Sequence, residues 1–231
     1  MTRGWPGRSI PCSGTRWRGC SATRSSGCAG YEVRLVYRFC KQAAGRASLR
    51  IIAGSRKGTI IAAPPGRNTR PTADRVREAV FSILGDITGL TVLDLFAGSG
   101  ALGMEALSRA AAGAVLVESS ATAVKAMRRN VEKLRFENVA VVRRDYLVFL
   151  KDAAKKRQRF DLIFTDPPYR MHRVIEGELG RWLPRVAAPG ARLVVESSSR
   201  EDITLPFQLS VNRVYGDTRV SIYFPGAGPE A

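Results

Sequence analysis

An alternation of short apolar runs with amphipathic stretches, beginning near residue 91, constrains the fold of this chain more than any other feature. Apolar, β-branched runs predict strands at 91–95, 114–118, 139–143, 161–165 and 191–196. Apolar residues at helical spacing predict helices at about 101–110, 121–134, 146–154 and 173–183. Strands that alternate with helices are typical of a parallel sheet covered on both faces, so the chain is predicted to have an α/β fold.

Shorter patterns flank this alternating region. Two β-like runs around a Gly-containing turn predict a hairpin within residues 50–62, and Thr72 is predicted to cap a helix that Gly85 ends. Residues 207–214 and 218–224 predict a second hairpin. We therefore expect four parts, namely an N-terminal extension at 1–48, a hairpin and helix at 49–85, a main domain at 86–224 and a tail at 225–231.

The first 48 residues differ in composition from the rest of the chain. They contain all four cysteines and nine Arg or Lys residues against Glu32 alone, a net charge of +8. No Cys-x-x-Cys pair and no nearby histidine suggest a zinc site, and the cysteine-free remainder is typical of a reducing compartment. Three interpretations stay open: translated sequence upstream of the true start, which we favour, an organellar transit peptide, or a disordered RNA-binding arm.

The charge of the whole chain points to a polyanionic partner. The formal net charge is +17 and the pI is about 10.7, which leaves +9 for residues 49–231. No apolar run approaches the roughly 18 residues that a membrane span needs, so we expect a soluble protein. His172 is the only histidine, and no metal site is expected.

A glycine-rich segment at 94–103 follows the first predicted strand and opens the next helix. Gly98, Gly100 and Gly103 satisfy the Gly-x-Gly-x-x-Gly pattern of dinucleotide sites. The carboxylate of Asp94, just before the turn, would be poorly placed beside a pyrophosphate. In a site for S-adenosyl-L-methionine (SAM) the same carboxylate can accept from the ammonium group of the ligand. A strand-to-helix turn without a ligand is the remaining alternative.

Two further acids follow the next predicted strands. Glu118 ends the second strand, where a carboxylate can accept from both hydroxyls of a ribose. Asp145 follows the third strand and could accept from an adenine amino group. It could equally cap the next helix, and both roles can hold at once.

The tetrapeptide Asp166-Pro167-Pro168-Tyr169 follows the fourth predicted strand. Ligands of open α/β sheets bind at this edge. An aromatic amine is a poor nucleophile, and hydrogen bonds from its N–H groups to Asp166 and to the Pro167 carbonyl would support the charge that develops on attack. The two prolines restrict the turn, and Tyr169 offers a face on which a base can stack. This combination predicts methyl transfer to an exocyclic amine of a nucleobase.

Three segments together resemble one known family. Residues 70–78, 94–109 and 166–169 occur in the order found in the bacterial ribosomal small-subunit methyltransferase D family, and the resemblance runs from about Arg50 to Phe224. It implies a Rossmann-like class I SAM-dependent methyltransferase fold with a seven-stranded, mostly parallel sheet and an antiparallel C-terminal hairpin. It also implies methyl transfer from SAM to N2 of one guanine in 16S rRNA. One departure is Glu118-Ser119-Ser120, where relatives often have an acid two positions after the Glu.

The resemblance also implies roles for individual residues. Catalysis is expected at Asp166, Pro167 and Tyr169. Cofactor contacts are expected at Asp94, Phe96, Gly98, Ser99, Gly100, Glu118 and Asp145. RNA contacts are expected at Arg50, Arg56, Lys57, Arg67, Arg70 and Arg75. The expected partner is 16S rRNA in the 30S subunit or its assembly intermediate, and we expect a cytoplasmic monomer that binds no membrane and no metal.

Two rival functions stay open at the level of the sequence. A DNA adenine-N6 methyltransferase would use the same tetrapeptide, because it serves any exocyclic amine. A non-catalytic RNA-binding assembly factor could keep the fold without the reaction. Against the second rival, a binding protein has no chemical need for Asp94, Gly98, Gly100 and Asp166 together.

Overall fold

The computed structural model describes residues 49–64, 71–167, 172–201 and 203–224, all within one compact unit of the chain, Gly45–Ala231. The predictions made for residues 1–48 and for the tail at 225–231 fall outside the described residues and stay predictions.

Within the described residues the sheet has seven strands, and their bounds follow the predicted pattern closely. The strands are β1 Thr91–Asp94, β2 Gly113–Glu118, β3 Val139–Arg143, β4 Phe160–Thr165, β5 Ala187–Ser198, β6 Gln208–Tyr215 and β7 Thr218–Phe224. The helices are α1 Pro71–Leu84, α2 Ala101–Ser108, α3 Ala121–Leu134, α4 Tyr146–Lys155 and α5 His172–Trp182. Single 3₁₀ turns occur at Gly54–Arg56 and Leu183–Arg185.

The strands form one mixed sheet in the order β3-β2-β1-β4-β5-β7-β6. The first five strands pair in parallel, and β7 pairs antiparallel with both β5 and β6. The predicted α/β sheet with an antiparallel C-terminal hairpin is therefore confirmed. The chain reverses its direction of winding between β1 and β4, and in sheets of this kind ligands bind at the carboxyl ends of the strands at that point.

Helices cover both faces of the sheet because alternate strand residues point to opposite sides. On one face Val92, Phe164 and Val194 pack against α1, α2 and α3. On the other face Leu93, Ile163 and Val195 pack against α4 and α5. Strand residues two positions apart therefore share a face, and we call this alternation the parity of a residue. Parity assigns each acidic residue at a strand end to one face of the sheet.

Residues 49–64, which we call the N-terminal segment, and the start of α1 differ from the prediction in two respects. The expected hairpin is reduced to an isolated bridge between Arg50 and Ile60, with backbone hydrogen bonds such as Ile61 N to Leu49 O around the 3₁₀ turn. The ladder is short because Ile52 N and Ala53 N donate instead to the side chain of Glu105. The cap predicted at Thr72 was wrong, because α1 already begins at Pro71. Proline suits a first helical position because its missing N–H would have no partner there.

Candidate active site

The acidic residues singled out from the sequence meet at the carboxyl edge of the sheet. Asp94 is the last residue of β1 and is buried, with 2% of its surface exposed. Glu118 is the last residue of β2, and Asp166 directly follows β4. Because these strands are neighbours in the sheet, the three carboxylates share one edge.

The glycine-rich turn lies between β1 and α2 at this edge. Gly98 and Gly100 have φ angles of +55° and +80°, which side chains other than glycine rarely adopt. Gly100 N donates to Ala97 O at 2.6 Å, and Ala97 N donates to Val117 O at 3.0 Å. These bonds hold the turn against β2. The turn is therefore built into the sheet rather than being a free loop.

Glu118 binds this turn from the neighbouring strand. Its Oε2 accepts from Gly98 N at 3.0 Å, and its Oε1 accepts from Ser120 N at 2.8 Å. Oε1 also accepts from Ser119 Oγ at 3.4 Å, whereas Oε2 has capacity for a second hydrogen bond, so the same side chain can hold the turn and accept from a ligand hydroxyl.

Asn130, on α3, forms hydrogen bonds that support the glycine-rich turn. It is buried on α3, donates to Ser99 O at 3.0 Å and to Ala62 O at 2.9 Å, and accepts from Ala62 N at 2.7 Å. One side chain therefore connects the turn to the N-terminal segment. Asn130 was not predicted from the sequence, because no local sequence pattern indicates that an asparagine within a helix makes such a contact.

The helix-capping role of Asp145 is confirmed. Its Oδ1 accepts from Leu147 N at 2.9 Å and from Val148 N at 3.3 Å, at the first turn of α4. The ring of the adjacent Tyr146 lies 5.0 Å from that of Phe96, centroid to centroid. Phe96 and Asp145 thus border the same edge of the sheet. The adenine contact expected of Asp145 stays a prediction.

The protonation of Asp94 is sensitive to its surroundings. Burial, with smaller contributions from the neighbouring carboxylates of Asp166 and Glu118, raises the pKa of this carboxyl to about 7. Gly103 N donates to Asp94 Oδ2 at 3.3 Å and acts in the opposite direction. A cationic group beside Asp94 would favour its ionised form, so the position suits a positively charged ligand.

The structure describes only the first half of the catalytic tetrapeptide. Asp166 and Pro167 follow β4, and Pro167 is buried. Pro168 and Tyr169 lie outside the described residues, so the stacking role expected of Tyr169 stays a prediction.

A fourth carboxylate, which the sequence analysis missed, lies at the same edge. Glu196 is near the end of β5, next to β4 in the sheet. The residue as a whole is half-buried. Desolvation of its carboxyl, together with the nearby carboxylates of Asp166 and Asp94 and against the opposing charge of Arg77, raises its pKa to about 8. The signal was available in principle, because Glu196 is the polar end of the apolar run 191–196.

Arg77 is a second residue that the sequence analysis did not single out. It lies on α1 and is buried, with 4% of its surface exposed. It donates to Asp74 Oδ1 at 2.9 Å and to Arg50 O at 2.5 Å. Among the residues that the structure describes, its Nε has no hydrogen-bond partner. Burial lowers the pKa of Arg77, and the acids around it oppose that shift.

The residues predicted to contact RNA occupy different environments. Lys57 and Arg75 are exposed, and Arg50 is exposed with its Nε 3.5 Å from Asp74 Oδ2. Arg56 is half-buried and donates from Nε to Leu134 O at 2.7 Å, so part of its guanidinium is used within the fold. Arg67 and Arg70 lie outside the described residues. RNA contact by these six residues stays a prediction.

The described part of the chain has neither a membrane-spanning helix nor a metal-binding cluster. None of the helices described here is both long and apolar enough to cross a membrane. In the same residues, no group of three or more His, Cys, Asp or Glu side chains is arranged to hold a metal ion.

Comparison with known proteins places the chain in one family. Residues 49–224 match the model of a family described as conserved hypothetical protein 95. The ribosomal RNA small subunit methyltransferase D of Escherichia coli K12 is 37% identical over 187 residues, which cover 78% of this chain and 91% of that protein. A solved structure of the Escherichia coli protein yhhF aligns with a TM-score of 0.67 at 35% identity, covering 78% of this chain and 99% of that one.

A more distant structure supports the same fold. A SAM-dependent methyltransferase from Agrobacterium tumefaciens aligns with a TM-score of 0.56 at 17% identity, covering 68% of this chain and 63% of that chain. At this identity the likeness concerns the fold alone, which is the Rossmann-like fold of SAM-dependent methyltransferases. Together with the family match and the relative at 37% identity, these findings show that the chain belongs to the ribosomal RNA small subunit methyltransferase D family.

Proposed function

We propose that this protein is a SAM-dependent methyltransferase that methylates the exocyclic N2 amine of a guanine in 16S rRNA of the small ribosomal subunit. Membership of the family supports methyl transfer, and the name of the relative at 37% identity supports ribosomal RNA as the substrate class. The choice of guanine N2 rests on the resemblance of the sequence motifs.

One observation carries the proposal: a strongly basic chain gathers carboxylates at the ligand-binding edge of its sheet. The net charge is +17, yet Asp94 and Glu118 end two neighbouring strands and Asp166 directly follows the next strand in the sheet. An acidic site suits a cationic cofactor and an amine that becomes positively charged when it attacks. A basic surface suits the RNA that carries the amine.

The residues at the glycine-rich turn fit SAM. Asp94 would accept from the ammonium group, and Glu118 would accept from the ribose hydroxyls while it holds Gly98. Asp145, at the start of α4, would accept from the adenine amino group beside the ring of Phe96. The raised pKa of Asp94 supports this assignment, because a bound cation would offset the cost of ionising that carboxyl. When bound, SAM supplies an activated methyl group.

The residues that follow β4 would act on the target amine. Asp166 and the Pro167 carbonyl would accept hydrogen bonds from its two N–H groups. These bonds would orient the nitrogen lone pair and support the developing positive charge. After methyl transfer the nitrogen loses a proton, so no strong base is required before attack. The base must leave its stack to reach this edge, at a cost of a few kcal/mol that phosphate contacts can offset.

The test is methyl transfer to 30S particles isolated from a strain that lacks this gene. Labelled SAM, wild-type protein and an Asp166→Ala variant would be compared, followed by nucleoside analysis of the rRNA. We expect label in N2-methylguanosine with the wild-type protein, and loss of label with retained RNA affinity in the variant. Label in N6-methyladenine on a DNA substrate would contradict the proposal that the substrate is rRNA. Equal transfer by the variant would contradict the role of Asp166.

A further inference from the structure

Glu196 and Asp166 extend from neighbouring strands on the same face of the sheet. Phe164 on β4 is in register with Val194 on β5, so two residues further along Asp166 lies level with Glu196. Parity places both on the face that carries Phe164 and Val194, beneath α1. Neighbouring strands are about 4.8 Å apart, so the two backbones are adjacent at this edge.

Asp94 lies on the same face, two residues before the level of Asp166 and Glu196. It is in register with Phe164 across β1 and β4, and its parity places it on the face that carries Val92. The influence of Asp166 and Asp94 on the titration of Glu196 agrees with this placement. The roles already assigned to Asp94 and Asp166 are the cofactor and the target amine, which leaves Glu196 without one.

The chemistry of guanine suggests that role. N2 lies between N1, which carries a hydrogen, and N3, which is only an acceptor. If N2 is held by Asp166, a carboxylate beside Asp166 is attracted to the N1–H side and repelled by N3. We propose that Glu196 accepts the N1–H of the target guanine and thereby selects guanine over bases whose N1 is an acceptor. This inference rests on the proposed function and deepens it by naming a specificity residue.

The pattern of donors explains the selection. Guanine presents N1–H and the N2 amine side by side, and two ionised carboxylates present only acceptors. Adenine and 2-aminopurine carry an acceptor at N1, which would face the Glu196 carboxylate with a lone pair. A site built to accept a hydrogen bond discriminates strongly against a base that lacks the donor, because the desolvated carboxylate is then left without a hydrogen-bond donor.

The ionisation of Glu196 offers an independent signature. The groups that face it are Asp166 directly after β4, Asp94 on β1 and Arg77 on α1, while Val220 lies opposite on β7. With the pKa near 8, the ionised form that accepts N1–H becomes more populated as pH rises from 6.5 to 8.5. The neutral form carries an O–H that can donate to an acceptor at N1. Guanine and 2-aminopurine should therefore respond to pH in opposite directions.

The experiment uses 30S particles reconstituted with 16S rRNA that carries guanine or 2-aminopurine at the methylated position, which mass spectrometry of nuclease fragments locates. Both bases have the 2-amino group, but only guanine has N1–H, and inosine without the amine serves as the background. We would measure kcat/KM for wild type, Glu196→Gln and Glu196→Ala. Glu137→Gln is the matched control, because Glu137 is exposed and precedes β3 at the opposite edge of the sheet.

We expect wild type to prefer guanine by at least about tenfold. Glu196→Gln should bring the ratio towards one, because an amide can accept from guanine N1–H and donate to N1 of 2-aminopurine. A guanine-to-aminopurine ratio that the Gln variant leaves unchanged would overturn the inference while leaving the methyltransferase intact. Absence of N2-methylguanosine with wild-type protein would instead overturn the proposed function.

A measurement on wild-type protein alone covers the case in which both variants fail to fold. With SAM saturating at every pH, so that ionisation of Asp94 does not limit the rate, the kcat/KM for the rRNA with guanine should rise between pH 6.5 and 8.5, whereas that with 2-aminopurine should fall. Parallel pH profiles for the two bases would contradict the role of Glu196, because a purely structural carboxylate would affect both substrates alike.

Discussion

Arg77 and Glu105 form an ion pair in the interior, with Arg77 Nε 3.9 Å from Glu105 Oε2 and side-chain exposures of 4% and 0%. The pair joins α1 to α2, the helix that begins at the glycine-rich turn. Glu105 also accepts from Ile52 N at 2.7 Å and Ala53 N at 2.9 Å. The N-terminal segment is therefore bound to the same carboxylate that positions these two helices.

We expect Glu105→Gln to destabilise the protein by about 3–5 kcal/mol, because it removes a charge partner from the buried Arg77 and presents amide hydrogens to backbone donors. The free energy of unfolding in urea measures this effect. Asp152→Asn is the control, since its partner Arg144 is exposed and a surface pair contributes at most about 1 kcal/mol. Similar losses in the two variants would show that the buried pair has no special weight.

We expect Gly103→Ala to destabilise the protein by about 1–3 kcal/mol, because the added Cβ would lie 2.2 Å from Cδ2 of the buried Leu116. Gly177→Ala on α5 is the matched control: nothing lies within 4 Å of its added Cβ, and alanine favours the helix by up to about 1 kcal/mol. Thermal unfolding of both variants should give shifts of opposite sign. A Gly103→Ala variant as stable as wild type would mean that Leu116 repacks without cost.

We expect ligand-free protein to lose stability as pH rises from about 4 to 8, through Asp94 and Glu196. Their pKa values are raised in the folded state, to about 7 and about 8, so folded protein binds more protons than unfolded protein in this window. Their stabilising contribution is complete below the unfolded-state pKa and is lost as pH passes the folded-state pKa. Urea unfolding across this range should show a steeper fall in wild type than in Asp94→Asn, and identical slopes would refute the assignment.

We expect SAM binding at pH 6.5 to release protons, because a cation beside Asp94 favours its ionised form. At this pH the α-ammonium of the ligand is already protonated, and Asp94 is largely neutral. Calorimetry in two buffers of different ionisation enthalpy should give release of more than about half a proton. The release should disappear in Asp94→Asn and persist in Glu137→Gln. Binding by wild type without proton release would show that the ammonium group of SAM does not lie beside Asp94.

We expect Glu118→Ala to weaken SAM binding by about 10- to 100-fold while methyl transfer at saturating SAM is largely retained. The variant removes one carboxylate that accepts from Gly98 N and is predicted to bind the ribose. Glu118 has no predicted contact with the target amine. Separate KM and kcat values for SAM provide the measurement. A loss confined to kcat would instead assign Glu118 to the methyl-transfer step.

Much of the site could be predicted from the sequence because its signals are local. The apolar run that ends at Asp94 and the glycines that follow specify a strand, a turn and a helix within a dozen residues. The same holds for Asp145, whose cap involves residues two and three positions away. Thr72 was misplaced because the proline before it can itself begin a helix, so two start signals competed within two residues.

The sequence by itself determined the alternating strands and helices, the glycine turn and the acids at the strand ends, because these depend on spacings of a few residues. Only the tertiary structure decided which strands are neighbours, and with that the alignment of Glu196 beside Asp166. It also decided that Glu105 would bind Ile52 and Ala53, about 50 positions earlier in the chain. The physical reason is that contacts between distant residues depend on how helices and strands pack together, and no local pattern encodes the partner.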